Sequence, residues 1–278
     1  MEKYSADISR ENPTCLLFLI DQSASMNDRW SGDSDEKKSM IVAKMLNRLL
    51  YNLIDRCTKD EGIRDYFHVG VIGYNNEKIG SALENFHPDR DLIPISELAK
   101  NPLGFESIST KVPDSDGNMV DETETEPIWI KPHAFGNTPM CEVLQMAESV
   151  IAGWVRKYPK SFPPIVINIT DGDSTDGIPI PNALRIKQIE TDNGNALLFN
   201  IHISETVSDP IMYPGDSNAL PDDFARTLWA MSSVLPPTMQ QFARSLNYPI
   251  TKDSRGYGFN ADMEAFSDFL DIGTRPTI

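Results

Sequence analysis

The run Leu16-Leu17-Phe18-Leu19-Ile20 is apolar without interruption and stops at Asp21. A strand that faces water on one side alternates apolar and polar residues. A strand covered on both sides does not, so this run predicts a central strand of a parallel sheet with helices packed above and below it. The pattern recurs along the chain. Phe67 to Tyr74 reads as a second strand, and Ile165-Val166-Ile167-Asn168-Ile169 and Ala196 to Ile203 as two more.

Helical patterns lie between these strands. Lys37 to Ile54 places Met40, Ile41, Ala43, Met45, Leu46, Leu49, Leu50, Leu53 and Ile54 at helical intervals, with Lys and Arg between them. Pro139 to Val155 reads as a helix with proline in its first turn, and a helical stretch is expected from Asn182 to Glu190. Further helices are expected over Asp222 to Val234, Thr238 to Leu246 and Asp262 to Leu270, the first two parted by Pro236-Pro237. Such β-α alternation predicts an α/β fold with a doubly wound, mostly parallel central sheet flanked by helices. Any ligand site then belongs at the carboxyl ends of the strands.

With 278 residues and 40% hydrophobic content, the chain can bury one sizeable core. The expected organisation is an N-terminal tail over 1–13 and one domain over 14–278, with an insertion at 81–135 and a C-terminal helical extension at 204–278. Pro113-Asp114-Ser115-Asp116-Gly117-Asn118 marks the insertion as a hairpin with its turn there. Asp114, Asp116, Asp121, Glu122, Glu124 and Glu126 read as its solvated acidic tip. Ser204 to Pro221 is expected to cross the surface irregularly.

The formal charge of -16 argues against nucleic acid and anionic membrane as partners, since both demand clustered Lys and Arg. Cys15, Cys57 and Cys141 are odd in number and far apart, which favours reduced thiols. The apolar run after Pro13 is too short for a membrane span or a signal segment. A cytoplasmic protein is the expectation. No Gly-x-Ser-x-Gly elbow, phosphate-binding Gly-Lys-Ser/Thr loop or dinucleotide fingerprint is present.

Oxygen-bearing side chains gather at the predicted strand ends. Asp21-Gln22-Ser23-Ala24-Ser25 follows the first strand, and alternate residues share one side of the loop, giving a carboxylate and two hydroxyls. Phe135-Gly136-Asn137-Thr138-Pro139 offers another hydroxyl just ahead of a helix, and Thr170-Asp171-Gly172-Asp173 a carboxylate just after a strand. Asp21, Ser23, Ser25, Thr138 and Asp171 are hard donors, suited to Mg²⁺, with Mn²⁺ or Ca²⁺ as alternatives, and ill suited to Zn²⁺.

Asp-x-Ser-x-Ser after the first strand, Thr in a Gly-x-Thr-Pro loop and Thr-Asp-Gly after a later strand together resemble the metal ion-dependent adhesion site of von Willebrand factor A domains. The resemblance covers roughly Thr14 to Ile203 and is drawn in particular to bacterial cytosolic TerY-like proteins, associated with tellurium resistance. It implies direct coordination by Ser23 and Ser25, coordination by Thr138 directly or through water, and coordination by Asp21 and Asp171 mainly through water. A partner protein's Asp or Glu is then the remaining ligand. The function implied is an adaptor in a stress-response or defence assembly, with no catalysis. The alternatives are a Mg²⁺-dependent hydrolase or phosphatase using the same ion, and a scaffold that binds without metal. The family pattern is interrupted by the long interval between Ser81 and Phe135.

Other residues are weighed against plainer readings. Asp173 and Asp176 read as loop polars that lie behind the ligands, and His68, His87, His133 and His202 lack paired metal spacing. Met26 and Trp30, next to the first loop, read either as an apolar anchor for a partner or as packed loop residues.

Overall fold

The computed structural model describes residues 3–30, 36–113, 119–204, 209–261 and 263–273. In chain order the main elements are β1 (Thr14–Asp21), α1 (Lys38–Cys57), β2 (Phe67–Tyr74), β3 (Ile79–Ser81), α2 (Ile95–Lys100), β4 (Gly104–Pro113), β5 (Met119–Ile128), α3 (Met140–Lys157), β6 (Ile165–Thr170), α4 (Ile180–Ile186), β7 (Leu197–His202), β8 (Ile211–Met212), α5 (Asp223–Met231), α6 (Pro237–Ser245), β9 (Tyr257–Phe259) and α7 (Met263–Gly273). The central sheet runs β8-β9-β7-β6-β1-β2-β3, and the short strand Ile93–Pro94 also pairs with β2. From β9 to β2 every pairing is parallel. The edges are antiparallel, β8 on β9 and β3 on β2.

Every residue of β1 is buried, as its unbroken apolar run requires. Leu16, Phe18 and Ile20 face one core, shared with Ile41, Leu46 and Leu50 of α1 and Phe266 and Phe269 of α7. Cys15, Leu17 and Leu19 face the other, shared with Val143 and Ala147 of α3, Ala183 of α4 and Leu228 of α5. Strand alternation thus distributes the run over two helical layers, and the α/β, doubly wound class follows from the sheet itself.

The structure departs from expectation at one sheet edge. Ile211–Met212 forms β8 within the stretch expected to be an irregular crossing, and it pairs with β9, which no sequence pattern announced. Two- and three-residue strands are too short to show periodicity, and β9 is divided by Gly258. These strands exist because β7 offers them a free edge.

The insertion is a long hairpin, β4 against β5, in register from Gly104↔Ile128 to Pro113↔Met119. Its expected turn, including Asp114 and Asp116, lies outside the described residues, as do the side chains of Asp121 and Glu122. The chain leaving the hairpin is clamped to α1 by Asn47, whose Oδ1 accepts from Trp129 N (2.9 Å) and Ile130 N (3.0 Å). Its Nδ2 donates to the Ile130 carbonyl at 2.9 Å. The residues ahead of β1 are also fastened, with Tyr4 N donating to Asn193 O at 2.8 Å and Ala6 N to Asn193 Oδ1 at 3.1 Å. Among the described residues no helix is long and apolar enough to cross a membrane.

A polar ladder crosses the α3 face of the sheet. Tyr74 OH donates to Asn168 Oδ1 (3.0 Å), Asn168 Nδ2 to Asn200 Oδ1 (3.0 Å) and Asn200 Nδ2 to Ser232 Oγ (2.9 Å), all buried. Each added contact fixes the relative height of a strand, because a slip of one residue would turn Asn168 into the opposite core. Asn168→Ala removes an acceptor from Tyr74 and a donor from Asn200, and is expected to lower the unfolding free energy by about 2–4 kcal/mol. Urea denaturation at neutral pH checks this.

His202 closes β7 with its Nδ1 3.3 Å from Tyr257 OH. Burial holds its imidazole down to about 4 from the ordinary 6.5, against the opposing pull of Asp222 and Asp171. The unfolded chain therefore binds a proton that the folded chain refuses. Stability linked to this residue is intact above pH 6.5 and is lost as pH falls from 6.5 toward 4, on the order of 2–3 kcal/mol in all. Unfolding curves of wild type and His202→Gln at pH 7 and pH 4.5 are expected to converge by that amount at the lower pH.

Candidate metal centre

The sheet's register brings the first loop to the third. Ile20 pairs with Ile169 across β1 and β6, so Asp21 and Thr170 stand at the same height one residue later. The Thr170 hydroxyl donates to Asp21 Oδ2 at 2.6 Å, and Ser23 N donates to Asp21 Oδ1 at 2.8 Å. The Asp21 residue is fully buried. Burial raises its carboxyl to about 6, with Asp171 adding to the rise and the Thr170 and Ser23 hydrogen bonds pulling the other way.

The hydroxyls follow. Ser23 Oγ lies 3.0 Å from Ser25 Oγ, and Ser25 Oγ donates to Asp171 Oδ1 at 2.7 Å. The second loop is sewn to both others. Ala24 N donates to Gly136 O at 2.9 Å and Phe135 N to Gln22 O at 2.7 Å, while Thr175 N donates to Thr138 O at 2.9 Å. Thr138 N in turn donates to Thr175 Oγ1 at 3.1 Å. A Cβ at Gly172 would sit 3.7 Å from Thr138 Oγ1, which places that hydroxyl beside the Asp171 turn. Gly136 has φ +78°, and a side chain there would run into Asn76, whose Oδ1 accepts from Asn137 N at 2.9 Å. Glycine is thus required for the second loop to lie this close.

All the residues singled out from the sequence, Asp21, Ser23, Ser25, Thr138 and Asp171, therefore meet on three adjoining loops at the carboxyl edge of the sheet. Among the described residues no group of three or more His, Cys, Asp or Glu is placed to hold a metal. The donors here are instead hydroxyl and carboxylate oxygens. That set fits a small hard cation such as Mg²⁺ or Mn²⁺, which takes oxygen ligands and needs few anionic ones.

Two members of the cluster were not read from the sequence. Thr170 is the hydroxyl partner of Asp21 described above. Lys38, the first residue of α1, is fully buried, and its Nζ donates to Asp171 Oδ2 at 2.7 Å with both side chains closed to solvent. Removing one partner from a buried pair of this kind costs about 3–5 kcal/mol. A signal existed, since Lys38 falls on the helical stripe that continues through Ile41, Val42, Met45, Leu46 and Leu49.

The residues weighed as accessory separate cleanly. Asp176 caps α3 from outside, accepting from Cys141 N and Glu142 N at 2.9 Å each and from Ser174 Oγ at 2.8 Å. Desolvation opposes its ionised form, but these donors outweigh it and hold the carboxyl below its usual range. Asp173 is exposed. Met26 and Trp30 are both buried, the Trp30 ring meeting Phe266 edge-on at 6.1 Å, so they are packing residues and not an anchor. The large apolar side chains exposed on the flanking loops are Phe135 (51%) and Ile178 (74%).

The fold and site define an α/β protein with an oxygen-donor cluster at the strand ends. No family model matches the sequence, and no curated protein matches it. Among solved structures, similarity is found to three N-terminal domains of the type V pili tip protein Mfa5 from Porphyromonas gingivalis, at 14% identity and TM-score 0.34, covering 59% of this chain and 20% of that one. The vWF domain of the same protein is similar at 13% identity and TM-score 0.33, covering 86% and 51%. The PilB minor pilin from Streptococcus sanguinis is similar at 10% identity and TM-score 0.38, covering 94% and 60%. The chain thus spans less than two thirds of each of those chains. Superpositions this loose carry no functional argument, and the fold class rests on the sheet order and register above.

Asp176→Ala strips two backbone N–H groups at the start of α3 of their acceptor, close behind Thr138. A loss of about 1 kcal/mol in unfolding free energy is expected. Amide exchange of Cys141 and Glu142 is expected to quicken in parallel, and hydrogen-exchange spectrometry on the two proteins measures both.

Proposed function

We propose that the chain is a metal-dependent protein-interaction module of the von Willebrand factor A type, which grips a partner's Asp or Glu through a divalent cation, Mg²⁺ first, then Mn²⁺ or Ca²⁺. The observation that carries this reading is the unbroken oxygen chain from Ser23 Oγ to Ser25 Oγ to Asp171 Oδ1, at 3.0 and 2.7 Å, at a sheet edge where ligands of α/β proteins bind. Ser23, Ser25 and Thr138 would hold the ion, with Asp21 and Asp171 behind them. When bound, the ion supplies a positive centre able to accept an outside carboxylate as a further hard ligand.

The role is binding and not turnover. In support, each carboxylate of the cluster is already engaged within the loops, Asp21 by Ser23 and Thr170 and Asp171 by Ser25 and Lys38. Phe135 and Ile178 supply apolar contact area around the grip. With a formal charge of -16 on the chain, basic residues are expected around the partner's acid. Three free cysteines, two of them buried, agree with a reducing cytoplasm. The setting suggested by the sequence resemblance is a bacterial stress-response or defence assembly.

Mg²⁺ or Mn²⁺ at a hundredfold excess over its dissociation constant stabilises a folded binder by about 2.7 kcal/mol, roughly 5–10 °C in Tm for a chain of this size. Thermal unfolding in Mn²⁺ and in EDTA is expected to show that gap for wild type, and to show none for Ser23→Ala and Asp21→Asn. Identical melting of wild type in both buffers rules the metal out.

A further inference from the structure

We propose that Lys38 is a resident cation of the cluster, a positioning residue that aims Asp171 at the metal loop and weakens the site's hold on the divalent ion. The inference rests on the metal-binding reading above and concerns its regulation. Among the described residues no other lysine or arginine is buried. Lys38 opens the twenty-residue helix α1, and a positive charge there opposes the helix dipole, which favours anions at that end. Helix stability thus gives no reason for an ammonium at this position. It needs a carboxylate to be tolerated, and Asp171 Oδ2 provides one at 2.7 Å.

The two oxygens of Asp171 are thereby divided. Oδ2 is taken by Lys38, and Oδ1 is left facing Ser25 Oγ at 2.7 Å. The backbone of Lys38 is itself fixed, its N–H donating to Asp28 O at 2.9 Å at the end of the same loop that carries Ser23 and Ser25. The helix start that carries the ammonium is thereby tied to the donor loop. Its charge also changes the electrostatic balance. The two carboxylates Asp21 and Asp171 would alone neutralise a divalent ion, whereas with Lys38 the loaded cluster retains one surplus positive charge. Before loading, the lysine leaves the cluster at one net negative charge in place of two, which weakens its attraction for the ion, and the surplus after loading favours a carboxylate brought by a partner.

Lys38→Gln keeps a hydrogen-bond donor and removes the charge; Lys38→Arg keeps the charge. Mn²⁺ binding to the full-length chain, followed by the electron paramagnetic resonance of free Mn²⁺, is expected to be at least tenfold tighter in Lys38→Gln than in wild type, and within threefold of wild type in Lys38→Arg. Folded Lys38→Gln with wild-type or weaker Mn²⁺ affinity overturns the role of Lys38 while leaving the metal site standing. Absence of Mn²⁺ binding in wild type and both variants overturns the metal reading, and this inference with it. If Lys38→Gln folds only when Mn²⁺ is added, seen by circular dichroism, the ion is replacing the lost charge and the proposal holds. A Lys38→Gln protein that stays unfolded in millimolar Mn²⁺ overturns it, because the lysine then serves packing alone.

Discussion

The carboxyl edge of the sheet is organised around the burial of Asp21. Parallel pairing of β1 with β6 leaves Asp21 and Thr170 abreast where the ladder ends, with the carboxylate closed to water. A charge in that position is costly unless its lone pairs are met. The Thr170 hydroxyl and the Ser23 N–H meet them, and the second of these forces the chain to turn immediately after the strand. The turn is what brings the Ser23 and Ser25 hydroxyls together. The residue after Thr170 carries the second acid, Asp171, which the same logic obliges to find partners, and it finds Ser25 on one side and Lys38 on the other.

How far this arrangement was legible in the sequence depends on how far each interaction reaches. The parallel core was legible because strands covered on both faces are largely apolar, and Leu16 to Ile20 carries that mark without a break, Leu197 to Ile201 with Asn200 as its one polar residue. Strands β8 and β9 left no such trace, being short and held by the edge of β7 more than by their own composition. The donor residues of the three loops could be read because each loop follows a strand or precedes a helix; the parallel register brings the first and third together, and the Gly136 turn and its backbone hydrogen bonds bring in the second. Thr170 was read as the opening of the third loop, whereas it is the last residue of β6 and its alternation places it toward Asp21. Lys38 was read only as one of the basic residues between the apolar positions of that helix, and its place on the apolar stripe is what distinguishes it from Lys37.

The fate of Trp30 and Met26 shows the converse limit. Their proximity in sequence to Asp21 suggested a rim, but a large apolar residue close to a core is more often claimed by it. Here the C-terminal helix α7 supplies Phe266 to cover Trp30. Residues near the site that stay exposed belong to loops without a helix above them, Phe135 next to Gly136 and Ile178 after Gly177. Both glycines have positive φ, so each apolar side chain stands on a turn that carries it outward.

Charge operates on two length scales in this chain. At long range, a formal charge of -16 gathers cations and repels acids. At physiological salt that field is screened beyond roughly 8 Å. What an approaching acidic group meets in the last few ångströms is decided by the local set: two buried carboxylates, one buried ammonium and, in the proposed reading, a divalent ion. On that reading, an overall field that discourages carboxylates and a local centre that accepts one would select for acids delivered in a fixed geometry by a partner whose surrounding charge is positive. Free acids, with no basic surroundings and no apolar contact for Phe135 or Ile178, gain only the local term. In the proposed reading the acidic surface would thus work as a filter on partners, with the hydroxyl-rich loops supplying the grip behind it.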